Sequence, residues 1–258
     1  MAYFLANPGA AIALGGVLGL IVGSFLNVVI ARLPERRSLW APRSACPGCG
    51  ASIGWYDNIP LLSFALLRGR CRACAAPIPW RYPLVEAVTA ALFAVAWLEF
   101  GPTPEFIVAA GLLAALVAIT AIDLRHQIIP DAITLPGILA GITANVATRH
   151  LSWADVALGI ILGGGVFFVI IVASRGGMGA GDMKLGAMLG AFLGWKIALF
   201  ALMLAVVLGG VSAVALIALG VRRRKDAIPF GPFLALGGAA ALFWGEGVVQ
   251  WYVSGLRM

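Results

Sequence analysis

Residues 10–33 read AAIALGGVLGLIVGSFLNVVIARL, and no Lys or Arg comes before Arg32. An unbroken apolar run of this length matches the roughly 20 residues a helix needs to cross the hydrocarbon core of a bilayer. A secretory signal would carry cations ahead of its apolar stretch and a small-residue cleavage site after it. Neither is present, so the run is expected to be a retained span.

The chain around this run has the same character. Of 258 residues, 62% are hydrophobic and 11% are charged, and mean hydropathy is +1.00. A soluble domain carries roughly 45–50% apolar and about 25% charged residues, so this chain has too few charges to cover a globule of its own size. Disorder is excluded as well, because it requires low hydrophobicity. The composition therefore predicts an all-α polytopic membrane protein. The 33 glycines fit that class, since small residues let spans approach closely. Further apolar runs cover residues 83–100, 106–122, 129–147, 153–173, 183–193, 197–221 and 230–253. With the first, they make about eight candidate spans, the sixth of them short.

Charge supplies an orientation. With the N-terminus outside and eight alternating spans, the inside loops hold Arg32, Arg36, Arg37, Arg43, Arg68, Arg70, Arg72, Arg81, Arg125, Arg175, Lys184, Arg222, Arg223, Arg224 and Lys225. Only Arg149, Lys196 and Arg257 fall outside. That asymmetry follows the positive-inside rule, and omitting the sixth span would move the cluster from Arg222 to Lys225 outside. Both termini are therefore expected to be periplasmic. The net charge of +7 is explained by topology and contact with the anionic lipid bilayer, so no nucleic-acid partner is expected.

Residues 34–82 break the apolar pattern. This proline-rich segment carries all four cysteines, as Cys46-Pro-Gly-Cys49 and Cys71-Arg-Ala-Cys74, with 21 residues between the pairs. Two close pairs on tight turns, which Gly48 and Gly50 suit, can set four thiolates around one metal. The spacing predicts a closed structural Zn2+ site that folds an insert too small for an adequate core. Two disulfides or free thiols are the alternatives, and a loop on the reducing side argues against disulfides. The expected organisation is a first span (1–33), a cytoplasmic four-cysteine zinc-binding insert (34–82) and a membrane core of about seven spans (83–258).

Four acids sit at or near the inner boundary: Glu86, Asp123, Asp131 and Asp182. Asp123 ends the third run, and Asp182 closes Gly179-Ala180-Gly181-Asp182 and opens the sixth, at the same depth. An ionisable residue at such depth is a functional candidate. Two carboxylates brought together cannot both ionise easily, which lets one take a proton from water while the other supplies one. Gly179 and Gly181 would let backbone approach a substrate strand. Plainer roles stay open: Asp182 as a helix cap, Asp123 as a partner of Arg125, Asp131 as a cap. A proton-coupled carrier using the same two acids is also open, as is a zinc-bearing scaffold without chemistry. The lone His126 and His150 make no metal site, and no P-loop or H-E-x-x-H pattern occurs.

Taken in order, the motifs resemble the bacterial prepilin peptidases, the type IV leader peptidases of the GxGD membrane aspartic protease class. Gly23-Ser24-Phe25-Leu26-Asn27 with Arg32-Leu33-Pro34 is similar to the family's first-span signature. The paired cysteines, Asn58-Ile59-Pro60-Leu61-Leu62-Ser63 and Arg81-Tyr82-Pro83-Leu84-Val85-Glu86 resemble its cytoplasmic insert and re-entry. Ile122-Asp123 with Ile129-Pro130-Asp131 resembles the first catalytic motif, Gly179 to Leu185 the second, and Ile228-Pro229-Phe230-Gly231-Pro232 a late signature. The resemblance implies an inner-membrane enzyme that removes the basic leader from prepilins and pseudopilins, cutting after Gly on the cytoplasmic side. It further implies methylation of the new N-terminus with S-adenosylmethionine as donor. It makes Asp123 and Asp182 the catalytic pair, with Gly179, Gly181, Asp131, Lys184 and Glu86 in supporting roles. It assigns no residues to the methyl donor.

Overall fold

The computed structural model describes residues 8–148, 151–173, 178–223, 226 and 228–255. Arg149, His150, Arg175, Arg224, Lys225 and Arg257, all part of the sequence reading, lie outside them. The chain forms α1 (Pro8–Arg32), α2 (Leu62–Leu66), α3 (Arg81–Phe100), α4 (Pro104–His126), α5 (Asp131–Thr148), α6 (Trp153–Ala173), α7 (Ala180–Ala218) and α8 (Gly231–Gly255). The described residues contain no strand, only isolated bridges between Ala45 and Ser52 and between Arg70 and Pro77. Lipid offers no partner to a backbone N–H or C=O, so apolar segments satisfy these groups internally as helix.

All eight apolar runs fall on helices, and among the described residues six helices are long and apolar enough to cross a membrane: α1, α3, α4, α6, α7 and α8. The difference from eight has two physical causes. Helix α5 is diluted by Asp131, Asn145 and three threonines and contains Pro136. The sixth and seventh runs join into the 39-residue α7, which is broken at Gly194 (φ 71°, ψ 169°). That backbone conformation is open to glycine at little cost, so the short sixth run is one arm of a bent element.

The chain divides into two compact units, Met1–Ala118 and Ile119–Met258. In the first, α1 lies against α3 at near backbone contact. A Cβ added to Gly15, Gly19 or Gly23 would stand 2.8 Å from the Phe93 carbonyl, 2.6 Å from the Ala90 Cα or 2.8 Å from the Glu86 Cα. This spacing of four puts three glycines on one helix face. The insert follows α1 and leads into α3.

In the second unit α5, α6 and α8 pack on α7. Gly159 and Gly163 of α6 face Gly190 and Gly186 of α7, where an added Cβ would run into the opposing carbonyls. Of the Gly163-Gly164-Gly165 triplet, Gly163 makes this contact and Gly165 faces open space. Asn145 ties α5 to α7, its Nδ2 donating to the Ala191 carbonyl at 2.8 Å and to the Gly141 carbonyl at 3.0 Å.

Candidate active site and metal centre

The second unit brings the last turn of α4 to the first turn of α7. Asp123 on α4 is 4% exposed and Asp182 on α7 is 9% exposed, and the two carboxylates interact electrostatically. Each is held by a glycine N–H. Gly231 at the start of α8 donates to Asp123 Oδ2 at 2.9 Å, and Gly179 donates to the Asp182 carboxylate. The Asp182 N–H returns to the Gly179 carbonyl at 3.2 Å. Gly179 is thus the helix cap, in extended backbone (φ −78°, ψ 145°). Asp182, three residues on, reaches back in the manner of a capping box. The ion pairs among the described residues join Arg37 to Glu35, Arg72 to Asp57 and Lys184 to Asp131. An Asp123–Arg125 pair is not among them.

Small residues are required at two of these points. A Cβ on Gly231 would stand 2.6 Å from Asp123 Oδ2 and 3.2 Å from Ile129 Cδ1. A Cβ on Gly181 would stand 2.8 Å from Ile129 Cβ. Ile129 therefore fills the space between Gly181 and Gly231. Gly179 is open by comparison, its nearest neighbour for an added Cβ being Asp182 Oδ2 at 3.7 Å. Asp131 and Lys184 meet directly, Lys184 Nζ donating to both carboxylate oxygens at 2.7 Å, which links the start of α5 to the turn carrying Asp182. The sequence reading gave Gly231 no role. Its signal was the following Pro232, which marks a helix start, where N–H groups lack partners within the helix.

Glu86 belongs to the first unit. It accepts the Leu61 N–H at 2.9 Å and hydrogen bonds from the side chains of Ser24 and Asn27. Asn27 also donates to the Tyr82 carbonyl at 3.2 Å.

The four cysteines form one cluster in the insert. Cys46, Cys49, Cys71 and Cys74 have their sulfurs within 4.8 Å of one another, and none is in a disulfide. Two matching knuckles build the cluster. Gly50 N–H donates to the Cys46 carbonyl at 2.8 Å and Ala75 N–H to the Cys71 carbonyl at 2.9 Å. Both turn residues take left-handed backbone, Gly50 at φ 73° and Ala75 at φ 57°. Metal–sulfur bonds of about 2.3 Å in a tetrahedron put sulfurs about 3.8 Å apart, and Cys46 and Cys74 stand at 3.8 Å. The backbone N–H groups of Gly48 and then Cys49 bring the Cys46 thiol down to about 7, which favours the thiolate form that metals bind. The donor set fits a tetrahedral metal ion. Beside it, Arg72 grips Asp57 through three hydrogen bonds of 2.6, 2.9 and 3.1 Å.

Residues 17–100 match the bacterial peptidase A24 N-terminal domain, and residues 110–214 match the type IV leader peptidase family. Prepilin leader peptidase/N-methyltransferases are similar along nearly the whole chain. That of Burkholderia pseudomallei is 42% identical, the match covering 95% of this chain and 89% of the relative. That of Aeromonas hydrophila is 39% identical, with 92% of each chain covered. For Pseudomonas aeruginosa the identity is 38%, covering 97% and 96%. No solved structure matches the chain significantly. Both buried aspartates lie inside the peptidase match and all four cysteines inside the N-terminal one, and on these matches the chain belongs to the type IV leader peptidase family.

Proposed function

We propose that the chain is a membrane aspartic endopeptidase that removes the basic leader from type IV prepilins and pseudopilins, cutting after Gly on the cytoplasmic side. In the same reading it then methylates the exposed N-terminal amine with S-adenosylmethionine. The observation that carries the peptidase reading is the approach of two buried carboxylates, Asp123 and Asp182, from helices far apart in the sequence.

The chemistry follows from that pairing. Water adds its oxygen to the scissile carbonyl carbon while one carboxylate takes its proton and the other protonates the carbonyl oxygen. The carbon–nitrogen bond of the resulting gem-diol breaks with its electron pair on nitrogen, which accepts a proton from the pair. No covalent enzyme intermediate is needed. The Gly231 and Gly179 N–H groups orient the two acids, and the Asp131–Lys184 bridge braces the turn carrying Asp182. The substrate must be locally extended at the cut, because a helical peptide bond is engaged in its own hydrogen bonds.

In this reading the protein sits in the bacterial inner membrane with both termini periplasmic, crossing about eight times if α5 and each arm of α7 count as spans. The substrate's apolar helix lies in the lipid, and its leader reaches the cytosol, which supplies water to the dyad. The domains are the first span (1–33), the insert (34–82) and the core (83–258). Cys46, Cys49, Cys71 and Cys74 would hold a structural Zn2+ that stabilises the insert.

The test is co-expression of a prepilin with wild type, Asp123→Asn and Asp182→Asn, read by intact mass of the pilin. Wild type alone should remove the leader. Cleavage by either variant would remove that aspartate from the mechanism.

A further inference from the structure

We infer that the groove between α2 and the residues leading into α3 binds the headgroup phosphate of an anionic phospholipid, with Arg68 and Arg70 as its cations and Trp80 at headgroup depth. Only the crossing of the membrane by α3 is needed for this, whichever leaflet the insert faces. The groove holds about 450 Å³, and Phe64, Arg68, Gly69, Arg70, Ile78 and Trp80 are among its walls. No acid lines it, and neither do the four cysteines.

Chain continuity puts this groove at the bilayer surface. Trp80 is the residue before α3, and the apolar span begins at Arg81. Tryptophan is favoured at that boundary between hydrocarbon and water. The Phe64 ring lies 4.9 Å from the Trp80 ring, centroid to centroid, which keeps α2 beside the start of the span. The Ile78 N–H donates to the Gly69 carbonyl at 2.7 Å and joins the two walls. Apolar side chains stand open here: Trp80 is 77% exposed, Leu66 of α2 is 73% exposed, and Leu84, one turn into α3, is 62% exposed. An exposed apolar patch next to a span has lipid as its natural cover.

The charges fit a lipid of one sign. Other arginines of this region have partners: Arg32 on the Ser38 and Pro42 carbonyls, Arg37 on Glu35, Arg72 on Asp57. Arg68 and Arg70 are exposed, and neither enters an ion pair among the described residues. Helix α2 ends with the Gly69 N–H on the Phe64 carbonyl at 2.9 Å and the Arg68 N–H on the Ala65 carbonyl at 3.0 Å. Arg68 (φ 51°) and Gly69 (φ 67°) both take left-handed backbone in this turn. Glycine does so at little cost and arginine does not, so the chain holds a guanidinium in the groove against its backbone preference. A guanidinium matches the oxygens of a phosphodiester. A soluble phosphate compound would use the two arginines and leave Trp80, Leu66 and Leu84 uncovered, whereas a phospholipid also supplies acyl chains for them. Arg70 directly precedes Cys71, so a bound headgroup would hold the second cysteine knuckle at the membrane.

The experiment is hydrogen–deuterium exchange of the full chain in nanodiscs of phosphatidylcholine, with and without phosphatidylglycerol. Wild type is compared with the double variant Arg68→Gln, Arg70→Gln and with Arg36→Gln, Arg43→Gln, which removes the same charge from the insert away from this groove. In wild type, phosphatidylglycerol should slow exchange within residues 64–80 by about tenfold or more. The first double variant should lose this protection and the second should keep it. Circular dichroism checks the fold of each variant, and an unfolded first variant leaves the wild-type lipid comparison and the second variant to decide. Equal exchange in the two lipids, protection confined to other residues, or equal loss in both folded double variants overturns the assignment. Inorganic phosphate giving the same protection in phosphatidylcholine discs would make the ligand a free anion and refute the lipid. Protection that appears only on adding a prepilin, in either lipid, would make the groove a protein interface and refute it too.

Discussion

Replacing Gly231 with alanine would push a methyl group against the carboxylate that the peptidase reading requires. The new Cβ would stand 2.6 Å from Asp123 Oδ2 and 3.1 Å from its Cγ. An unstrained carbon–oxygen approach is about 3.3 Å or more, so the carboxyl must retreat by roughly 0.7 Å and strain its 2.9 Å bond from the Gly231 N–H. A misplacement of about 1 Å at a reacting group costs on the order of 100-fold in rate. The expected loss in kcat/KM is therefore about 10- to 100-fold, or about 1.4–2.7 kcal/mol of transition-state stabilisation. Stability should barely change. The clashing atom ends a side chain that can turn, and alanine gains up to about 1 kcal/mol over glycine in a helix. The assay is leader removal from a purified prepilin in detergent, alongside thermal unfolding. Gly179→Ala is the companion variant, because its Cβ would meet nothing nearer than 3.7 Å, and it should stay within about threefold of wild type. If Gly231→Ala cleaves at the wild-type rate with an unchanged melting point, the position of Asp123 is not what sets the rate. A large loss in Gly179→Ala would mean that substrate backbone runs against that glycine.

The Asp131–Lys184 bridge is partly exposed, and such pairs contribute about 0.2–1 kcal/mol. Lys184→Met should lower kcat/KM by about two- to fivefold, and the swap Asp131→Lys with Lys184→Asp should recover part of it; no recovery would mean that Lys184 acts on something other than Asp131. Cys46→Ser should strip the metal from the purified chain, as read by elemental analysis, and an unchanged metal content would refute the four-cysteine centre. In the insert, the hydrogen bond from Arg72 holds the Asp57 carboxyl below the usual carboxylate range. Its stabilising effect is then complete above the unfolded value of about 3.9 and is lost as pH falls through the lower folded value. Asp57→Asn should make the insert more sensitive to proteolysis at pH 7, with the difference from wild type fading as the pH falls below about 4. A difference that grew on acidification would contradict this pairing.

The helices and the four-cysteine cluster were legible in the sequence because each is imposed locally. Hydrocarbon leaves an apolar backbone few options besides helix, so every apolar run became one. The four-cysteine spacing needs only two short turns, and the second shows how much the thiols dominate, since Ala75 adopts left-handed backbone there at φ 57°. What could not be read locally was contact between distant segments. Asp123 and Asp182 were legible as two acids at one depth, but their approach depends on glycine packing along α7 and on Ile129 fitting between Gly181 and Gly231. The Gly231 N–H on Asp123 comes from a residue 108 positions away, and nothing in a run of Ile-Pro-Phe-Gly-Pro says which side chain its first free N–H will meet. Arg32 and Glu86 show the same limit from the other direction. In the sequence, one was a topological cation and the other a boundary acid. Folded, both are buried beside one cavity with different partners, and they do not pair with each other. An acid and a base within one polar pocket normally neutralise each other. Here the insert's Ser38 and Pro42 carbonyls occupy the guanidinium and its Leu61 N–H engages the carboxylate, so the loop that carries the four cysteines satisfies the two buried groups separately instead of letting them pair.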